Sequence, residues 1–310
     1  MPTSVLSVSD GPRTTVADLI GNPMLIPARI LELLHQGFIS DAILRDAGPN
    51  ANGLVQFHEE TPLYLDDDLV DVAEFGEIPV GSGQIGIPRI AVGIKQGRGV
   101  RVSREMRDEN KIDAVNTQIK QLANTAIRSE ERALRALLQN PAIPTMAASA
   151  AWTSGSAKIR RDIANAQELI ASAKPTVSQD EDFLGFEADT IVFPGSITPV
   201  LLDNEEFLKV YKDALSTEDI RYTGKLPKDV LNLAALRTRT WPKDRVLVVE
   251  RGTVGFYSDT RKLESTGLYP EGNGPNGGST ESWRSDTTKK RVMGVDQPKA
   301  AVWITGVQAA

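Results

Sequence analysis

One glycine-rich stretch, residues 81–86, has the spacing of a dinucleotide-binding loop. Its letters fit the pattern GxGxxG, in which a tight turn brings backbone N–H groups to a pyrophosphate at the start of a helix. Here Ile87-Pro88 and a strand-like run follow, and no strand–helix–strand pattern surrounds the stretch. Residues 93–99 lack the GK[ST] ending of a phosphate-binding loop. We therefore interpret residues 81–86 as a flexible loop tip and predict no cofactor.

Carboxylates and histidines give no stronger indication of a catalytic centre. Asp66, Asp67 and Asp68 have oxygen ligands for a hard cation, but adjacent side chains in an extended segment point in alternating directions. A solvated turn is the interpretation we prefer. His35 and His58 are the only histidines, and neither has an HxxxH or HExxH partner, which argues against a catalytic triad or a histidine metal site. We predict that the protein is not an enzyme and that it has no catalytic, cofactor-binding or metal site.

The composition excludes several other classes of protein. The 310 residues include 41 acidic and 35 basic ones, a net charge of −6, without the basic stripe of a protein that wraps nucleic acid. The absence of cysteine excludes disulfides and thiolate metal sites. No apolar run approaches the roughly 20 residues of a membrane helix, and the N-terminus lacks the pattern of a secretory signal. We expect a protein that acts where it is made, without membrane association.

The first third of the chain contains two segments with little apolar surface of their own. Residues 1–50 mix short apolar groups with proline and glycine, which indicates an arm with one short helix around residues 27–35. Residues 51–102 alternate in hydropathy on both sides of a glycine- and proline-rich stretch, and this predicts an extended hairpin. Because an isolated hairpin is marginally stable in water, we expect both segments to rest on another surface.

The clearest local pattern predicts one long helix over residues 103–140. Ser103 can cap its start, apolar residues follow at spacings of three and four, and Pro141 ends it. At 1.5 Å per residue this helix would measure about 54 Å, which suits a strut in an extended molecule or half of a coiled coil.

Four charged residues of this helix are expected on its outer face. They are Glu130, Glu131, Arg132 and Arg135. One interpretation is a solvated face, and the other is a set of ion pairs between subunits. The sequence leaves both open.

The remainder of the chain predicts an α+β organisation. A second helix begins near Ser156, and a short one covers residues 204–211. Strand-like runs are found at residues 189–193, 236–257, 261–269, 282–295 and 299–306. Trp241, Trp283 and Trp303 lie in or at the ends of these runs, and core packing is expected for each.

The order of these elements resembles the Hong-Kong-97-type major capsid proteins of tailed phages. The most specific likeness is at the C-terminal end, where RVMGVD at 291–296 and QPKAAVWITGV at 297–307 resemble the family's closing strands. The sequence ESWRS at 281–285 resembles the opposing strand, and residues 101–141 match the spine helix in position and length. The resemblance spans nearly the whole chain, and it is one of architecture rather than of invariant residues.

The resemblance implies a domain layout. Residues 1–50 would form an N-terminal arm and residues 51–102 an extended loop, the E-loop. Residues 103–175 and 251–295 would form a peripheral domain with the spine helix 103–140. Residues 176–250 and 296–310 would form an axial domain.

The resemblance also implies the role and the partners of the protein. It would be a major capsid protein that assembles with itself into pentamers and hexamers of an icosahedral head, located in the virion and assembled in the host cytoplasm. The shell would enclose double-stranded DNA without sequence-specific binding. A portal, a separate scaffolding protein and a decoration protein would be its other partners. The scaffolding protein is expected to be separate because residues 1–50 show no long charged helix.

Contacts between subunits are expected from the apolar faces of the arm and the E-loop and from the charged helix face. The candidate residues are Leu54, Val55, Phe57, Leu63, Ile90, Ile94, Glu130, Glu131, Arg132 and Arg135. Some family members form a Lys–Asn isopeptide between subunits, for which Lys95 and Asn273 or Asn276 would be the candidates. No matched acidic helper is visible, so crosslinking is not expected.

Three other functions remain open. An encapsulin-type shell of a bacterial compartment would share the fold but hold an enzyme cargo. A tail or baseplate protein would form rings or tubes. A hydrolase that uses His58 with Asp66 to Asp68 would be a compact monomer.

Overall fold

The computed structural model describes residues 15–34, 38–62, 64–65, 67–176, 183–204, 229–273 and 280–308. The helices are α1 (Val16–Gly21), α2 (Leu25–Leu34), α3 (Ser40–Ile43), α4 (Arg104–Asp108), α5 (Ile112–Leu138), α6 (Ile159–Ala171) and α7 (Ile197–Asp203), with a 3-10 turn at Pro298–Ala300. The strands are β1 (Arg45–Asp46), β2 (Leu54–Glu59), β3 (Ile87–Val92), β4 (Ile94–Ser103), β5 (Thr145–Ala147), β6 (Thr190–Pro194), β7 (Asp229–Val230), β8 (Leu233–Thr238), β9 (Arg245–Val249), β10 (Gly255–Ser265), β11 (Tyr269–Glu271), β12 (Ser282–Val295) and β13 (Ala301–Thr305). Among the described helices, none is long and apolar enough to cross a membrane.

The chain divides into two compact units. Unit 1 consists of the described parts of Met1–Phe38, Ile94–Ser129 and Asp259–Arg291, and unit 2 of those of Ile39–Gly93, Glu130–Ser258 and Val292–Ala310. Residues 130–175 belong to unit 2 together with residues 183–204, and the peripheral and axial domains expected above stay a prediction. We describe each unit by itself.

The N-terminal helices form part of the core of unit 1. Val16 in α1 and Ile26, Ile30 and Leu34 in α2 are buried in one cluster with apolar residues of β4 and α5. The Thr15 side chain accepts a hydrogen bond from the Asp18 backbone N–H and so caps α1. The expectation that the arm lacks a surface in its own subunit is therefore wrong for residues 15–34.

The predicted long helix is interrupted near its start. Ser103 is the N-cap, as predicted, and accepts a hydrogen bond from the Met106 backbone N–H, but the helix that it caps, α4, ends at Asp108. Asn110 adopts a left-handed conformation with φ 49°, which asparagine tolerates better than most residues. The main helix, α5, then runs for 27 residues, about 40 Å at 1.5 Å per residue.

Two long strands of unit 1 pair antiparallel over ten residue pairs. β4 and the first part of β12 run from Ser103 opposite Ser282 to Ile94 opposite Arg291. Val100 and Val102 of β4, and Trp283 of β12, are buried on one face of this pairing against the unit 1 core. Residues at alternate positions therefore occupy the opposite face.

Unit 2 is built on a six-stranded sheet in the order β5-β13-β9-β6-β8-β7. β13 is antiparallel to β9 and parallel to β5, and helix α6 packs on β13 and β9. Trp303 is buried in the core, where its Nε1 donates to the Leu138 carbonyl oxygen at 2.7 Å and its ring lies 5.2 Å from that of Trp241. Core packing is thus confirmed for Trp241, Trp283 and Trp303.

A two-stranded hairpin extends from the same unit. β2 and β3 pair antiparallel from Leu54 opposite Val92 to Glu59 opposite Ile87, which confirms the hairpin predicted for this part of the chain. Its two strands are connected by residues 60–86, whose described part contains no helix or strand.

Candidate functional site

The motifs with possible catalytic chemistry are not assembled into a site by the residues that the structure describes. The glycine-rich stretch 81–86 is followed by strand β3, so no helix start faces it. Asp66 lies outside the described residues, and Asp67 and Asp68 are exposed. His58 is exposed on β2, and His35 lies outside the described residues. Within the described ranges, no three histidine or acidic side chains come close enough to hold a metal ion.

One face of the hairpin is apolar and open to solvent. Leu54 lies directly opposite Val92, and Ile90 follows Val92 at the next position on the same face. Their exposed fractions are 55%, 63% and 69%. We call these three side chains the apolar hairpin face. Adjacent aliphatic side chains in solvent gain free energy when another apolar surface covers them, so this face has the properties of a contact surface.

The opposite face of the hairpin packs on the remainder of unit 2. Phe57 packs edge-on against Phe256, with ring centroids 5.1 Å apart and planes at 75°. A Cβ at Gly294 would lie 2.7 Å from the Phe256 ring, so glycine is needed at this position for the ring to fit. The aromatic pair therefore orients the hairpin, and the apolar hairpin face remains open to solvent.

Ion pairs fix the base of the hairpin. Glu59 is buried and accepts a hydrogen bond from Arg89 Nε at 2.6 Å. The Glu60 carboxylate lies 3.5 Å from Lys299 Nζ, and the Glu60 backbone N–H donates to the Asp296 carbonyl oxygen. Glu60 itself has a left-handed φ of 56°, which turns the chain out of β2. These contacts hold the start of the loop against the C-terminal part of unit 2.

Asp296 at this base gives a pH-dependent prediction. Burial raises its pKa above the ordinary value near 3.8, although Arg45, at 2.8 Å from the carboxylate, acts in the opposite direction. A raised pKa means that the carboxylate lowers stability at neutral pH, and this penalty disappears as the pH falls through the pKa of Asp296. We expect that, as the pH is lowered, the unfolding free energy of wild type increases relative to that of Asp296→Asn, because asparagine does not titrate. Urea unfolding across a pH series measures this, and a shift towards the variant would contradict it.

The loop that follows the hairpin base exposes many large apolar side chains. Residues 64–80, here called the acidic loop, include Leu69 and Phe75, which are 103% and 99% exposed. The other exposed members are Tyr64, Leu65, Val70, Val72, Ile78 and Val80. We did not predict this apolar surface from the sequence. The signal that was available is the density of aliphatic residues between the aspartates and glutamates.

The predicted contact residues fall into distinct environments. Ile94 in β4 is exposed like the apolar hairpin face, whereas Val55 and Phe57 are half-buried on unit 2. Leu63 lies outside the described residues. Lys95 is exposed, and Asn276 lies outside the described residues, so the expectation of no crosslink stays a prediction.

Two of the four charged helix residues are not on an outer face. Glu130 accepts a hydrogen bond from Ser40 Oγ at 2.9 Å, and Glu131 accepts one from Thr240 Oγ1; both glutamates are buried. The expected exposed position is therefore wrong for this pair, because residues distant in the sequence supply their partners. Arg132 is exposed, and Arg135 is half-buried with a hydrogen bond to a backbone carbonyl oxygen.

Neighbouring substitutions on α5 test this assignment. Glu131→Ala removes a buried side chain and leaves the half-buried Thr240 Oγ1 without its acceptor, and we expect a loss of about 1–3 kcal/mol of unfolding free energy. Arg132→Ala, the matched control on the exposed side, should change it by less than about 0.5 kcal/mol. Urea unfolding of the dissociated subunit measures both. Equal effects would mean that Glu131 has no buried structural role.

Comparison with known proteins gives the family. Residues 89–304 match the family described as "Phage capsid protein", and no curated protein matches the chain. Similar solved structures include a virus-like particle from Pyrococcus furiosus, with 11% identity over 90% of this chain and 97% of that one and a TM-score of 0.57. A phage-related protein from Bordetella bronchiseptica RB50 has 13% identity, coverage of 95% and 99%, and a TM-score of 0.59. The capsid of the Myoviridae phage XM1 has 12% identity, coverage of 89% and 92%, and a TM-score of 0.53.

Because the sequence identities are low, the solved structures support only the fold. The match to the family covers well over half of the sequence and therefore shows the family. The fold agrees with the architecture expected from the closing strands and the central helix. The chain has the Hong-Kong-97-type fold and belongs to the phage capsid proteins.

Proposed function

We propose that this protein is the major capsid protein of a tailed phage and assembles into pentamers and hexamers of an icosahedral shell around double-stranded DNA. The observation that carries the proposal is the exposed apolar surface of the hairpin and the acidic loop. Groups of large apolar side chains that are exposed to solvent mark interaction surfaces. Copies of the same chain would cover it through heterologous contacts, which close into rings when the rotation permits.

The predicted domains acquire roles in this proposal. The hairpin and residues 60–86 act as the E-loop, and α5 acts as the spine helix of a peripheral domain. The sheet of unit 2 acts as the axial domain. The role of the protein is structural and not catalytic. Subunits assemble in the host cytoplasm, and the assembled protein is part of the virion. A portal, a separate scaffolding protein and a decoration protein are the further partners we propose.

Assembly of the purified protein tests the proposal. We expect size-exclusion chromatography with light scattering to show megadalton particles, and negative-stain microscopy to show closed polyhedra or flat hexamers. A stable monomer at high concentration would overturn it. Tubes or open rings alone would indicate a tail protein instead.

The contents of the particles separate this function from the encapsulin-type alternative. Similarity to a virus-like particle from Pyrococcus furiosus keeps that alternative open. We expect particles from the natural source to protect DNA from nuclease. A protein cargo identified by mass spectrometry, without protected DNA, would favour the compartment shell.

A further inference from the structure

Asn52 and Gly53 form an Asn-Gly pair directly before β2. An asparagine that precedes glycine can lose its side-chain amide without an enzyme, because glycine has no side chain to hinder attack by its backbone nitrogen. The sequence contains two other pairs of this kind, at residues 273–274 and 276–277. Of the three pairs, Asn52-Gly53 is the one that lies wholly within the described residues, so its reactivity can be argued from contacts.

The Asn52 side chain is open to this reaction. Asn52 is exposed, and its side-chain amide makes no hydrogen bond to another residue that the structure describes. Solvent therefore reaches the amide, and no contact within the described ranges opposes the departure of its nitrogen as ammonia. The contacts that can slow the reaction are those of the nucleophile, the backbone nitrogen of Gly53.

The Asn50 side chain holds this nucleophile. The Gly53 backbone N–H donates to Asn50 Oδ1 at 2.9 Å, and the Asn52 backbone N–H donates to the same oxygen at 2.8 Å. Asn50 Nδ2 donates in turn to the Leu54 carbonyl oxygen at 2.8 Å. Asparagine commonly bonds the backbone of residues shortly after it in this way. The Gly53 nitrogen must give up its hydrogen bond to Asn50 before it can attack Asn52.

Two further features fix the Gly53 peptide. Gly53 is buried, and its carbonyl oxygen accepts a hydrogen bond from the Gly93 backbone N–H at 2.8 Å across the base of the hairpin. Its φ of 72° lies in the left-handed region, which glycine adopts without a steric penalty. Rotation of the Gly53 nitrogen towards the Asn52 side chain would disturb these contacts. Attack therefore requires a local opening of the hairpin base.

We propose that Asn52 is a site of spontaneous deamidation and that the Asn50 side chain protects it in the folded subunit. In the reaction, the Gly53 nitrogen loses its proton and forms a bond to Asn52 Cγ. The Cγ–Nδ2 bond breaks, ammonia leaves, and a cyclic succinimide remains. Water then opens the ring at one of its two carbonyl groups. The product is aspartate at position 52 or isoaspartate, in which the backbone runs through the former side chain.

The modification changes the start of the hairpin. Either product places a carboxylate at position 52, two residues before the exposed Leu54. Isoaspartate also adds one methylene to the backbone, which displaces Gly53 from its hydrogen bond with Gly93. Because the amide is not restored, modified subunits accumulate with the time that the hairpin base spends open. This inference concerns the single subunit and does not depend on the proposed assembly.

The rates of deamidation of wild type, Asn50→Ala and Asn50→Asp test the protection. The proteins are incubated at mildly alkaline pH and digested with trypsin, which releases residues 46–89 as one peptide, and tandem mass spectrometry locates the modification at residue 52. We expect Asn50→Ala to deamidate about tenfold faster than wild type, the rate equivalent of one lost hydrogen bond. Asn50→Asp keeps an oxygen acceptor for the Gly53 N–H and should stay within about threefold of wild type.

Unfolding in urea provides the control for the folded state. In urea the hydrogen bonds of Asn50 are absent, so the three proteins should deamidate at Asn52 equally fast, and wild type should react at least about tenfold faster than when folded. Equal rates for folded and unfolded wild type would overturn the protection. If Asn50→Ala reacts like wild type when folded, or if Asn50→Asp reacts as fast as Asn50→Ala, the acceptor oxygen of Asn50 is not the protecting group.

Hydrogen exchange of the Gly53 amide is a second measurement and needs no variant. The hydrogen bond to Asn50 and the burial of Gly53 predict that this amide exchanges at least about tenfold more slowly in folded wild type than in the unfolded chain. Exchange at the unfolded rate would show that the Gly53 nitrogen is free in the folded subunit, and the inference would be wrong.

Discussion

Ile90→Asp is expected to leave the subunit folded and to prevent its assembly. Ile90 is exposed on the apolar hairpin face and has no buried role in its own subunit. In the proposed shell the side chain lies in an interface between copies, where a lone carboxylate costs about 3 kcal/mol or more. The concentration needed for assembly should rise by about 100-fold or more, as measured by light scattering of a dilution series.

A conservative exchange at the same position provides the control. Ile90→Val keeps an apolar β-branched side chain and should assemble within about threefold of wild type, because only one methylene is lost. The unfolding free energy of Ile90→Asp should remain close to that of wild type. Normal shells from Ile90→Asp would show that this face of the hairpin is not an interface.

Trp303→Ala is expected to have the largest effect on stability. Trp303 fills the core of unit 2 between the sheet and the C-terminal end of α5, and its ring packs against Trp241. Truncation of a buried tryptophan leaves a large cavity and typically costs about 3–5 kcal/mol. Urea unfolding of the dissociated subunit should show a loss of this size, and assembly should fail because unit 2 also anchors the hairpin.

Trp303→Phe separates the two contributions. Phenylalanine retains much of the ring but removes the donor to the Leu138 carbonyl oxygen, so we expect a loss of about 1–3 kcal/mol. If Trp303→Ala and Trp303→Phe were equally unstable, the hydrogen bond and not the filled volume would dominate at this position.

The elements that could be predicted from the sequence are those set by local patterns. Ser103 has the side chain and the position of a helix cap, and the structure has it in that role. The alternation of apolar and polar residues in residues 51–102 correctly predicted the hairpin. The apolar strand that contains Trp303 correctly predicted core packing. Such features depend on neighbours within a few residues, so a single sequence contains the information.

The errors concern contacts between distant parts of the chain. Glu130 and Glu131 look like surface residues beside Arg132, but their partners Ser40 and Thr240 are 90 and 109 residues away. The N-terminal helices were expected to need another subunit, because their own core partners in β4 and α5 are equally remote in sequence. Helical periodicity in the sequence continues through residues 109–111, but the chain leaves the helix there and Asn110 adopts a left-handed backbone.

Residues 46–88, which include the acidic loop, contain no lysine or arginine, and this has a practical consequence for proteolysis. Trypsin cleaves after lysine or arginine, so it has no site between Arg45 and Arg89, although large side chains of the acidic loop such as Leu69 and Phe75 are fully exposed. A protease specific for glutamate finds Glu74 and Glu77 in the same loop. Resistance to trypsin would therefore say nothing about the state of this segment, whereas its rate of cleavage at these glutamates reports whether a neighbouring copy covers it.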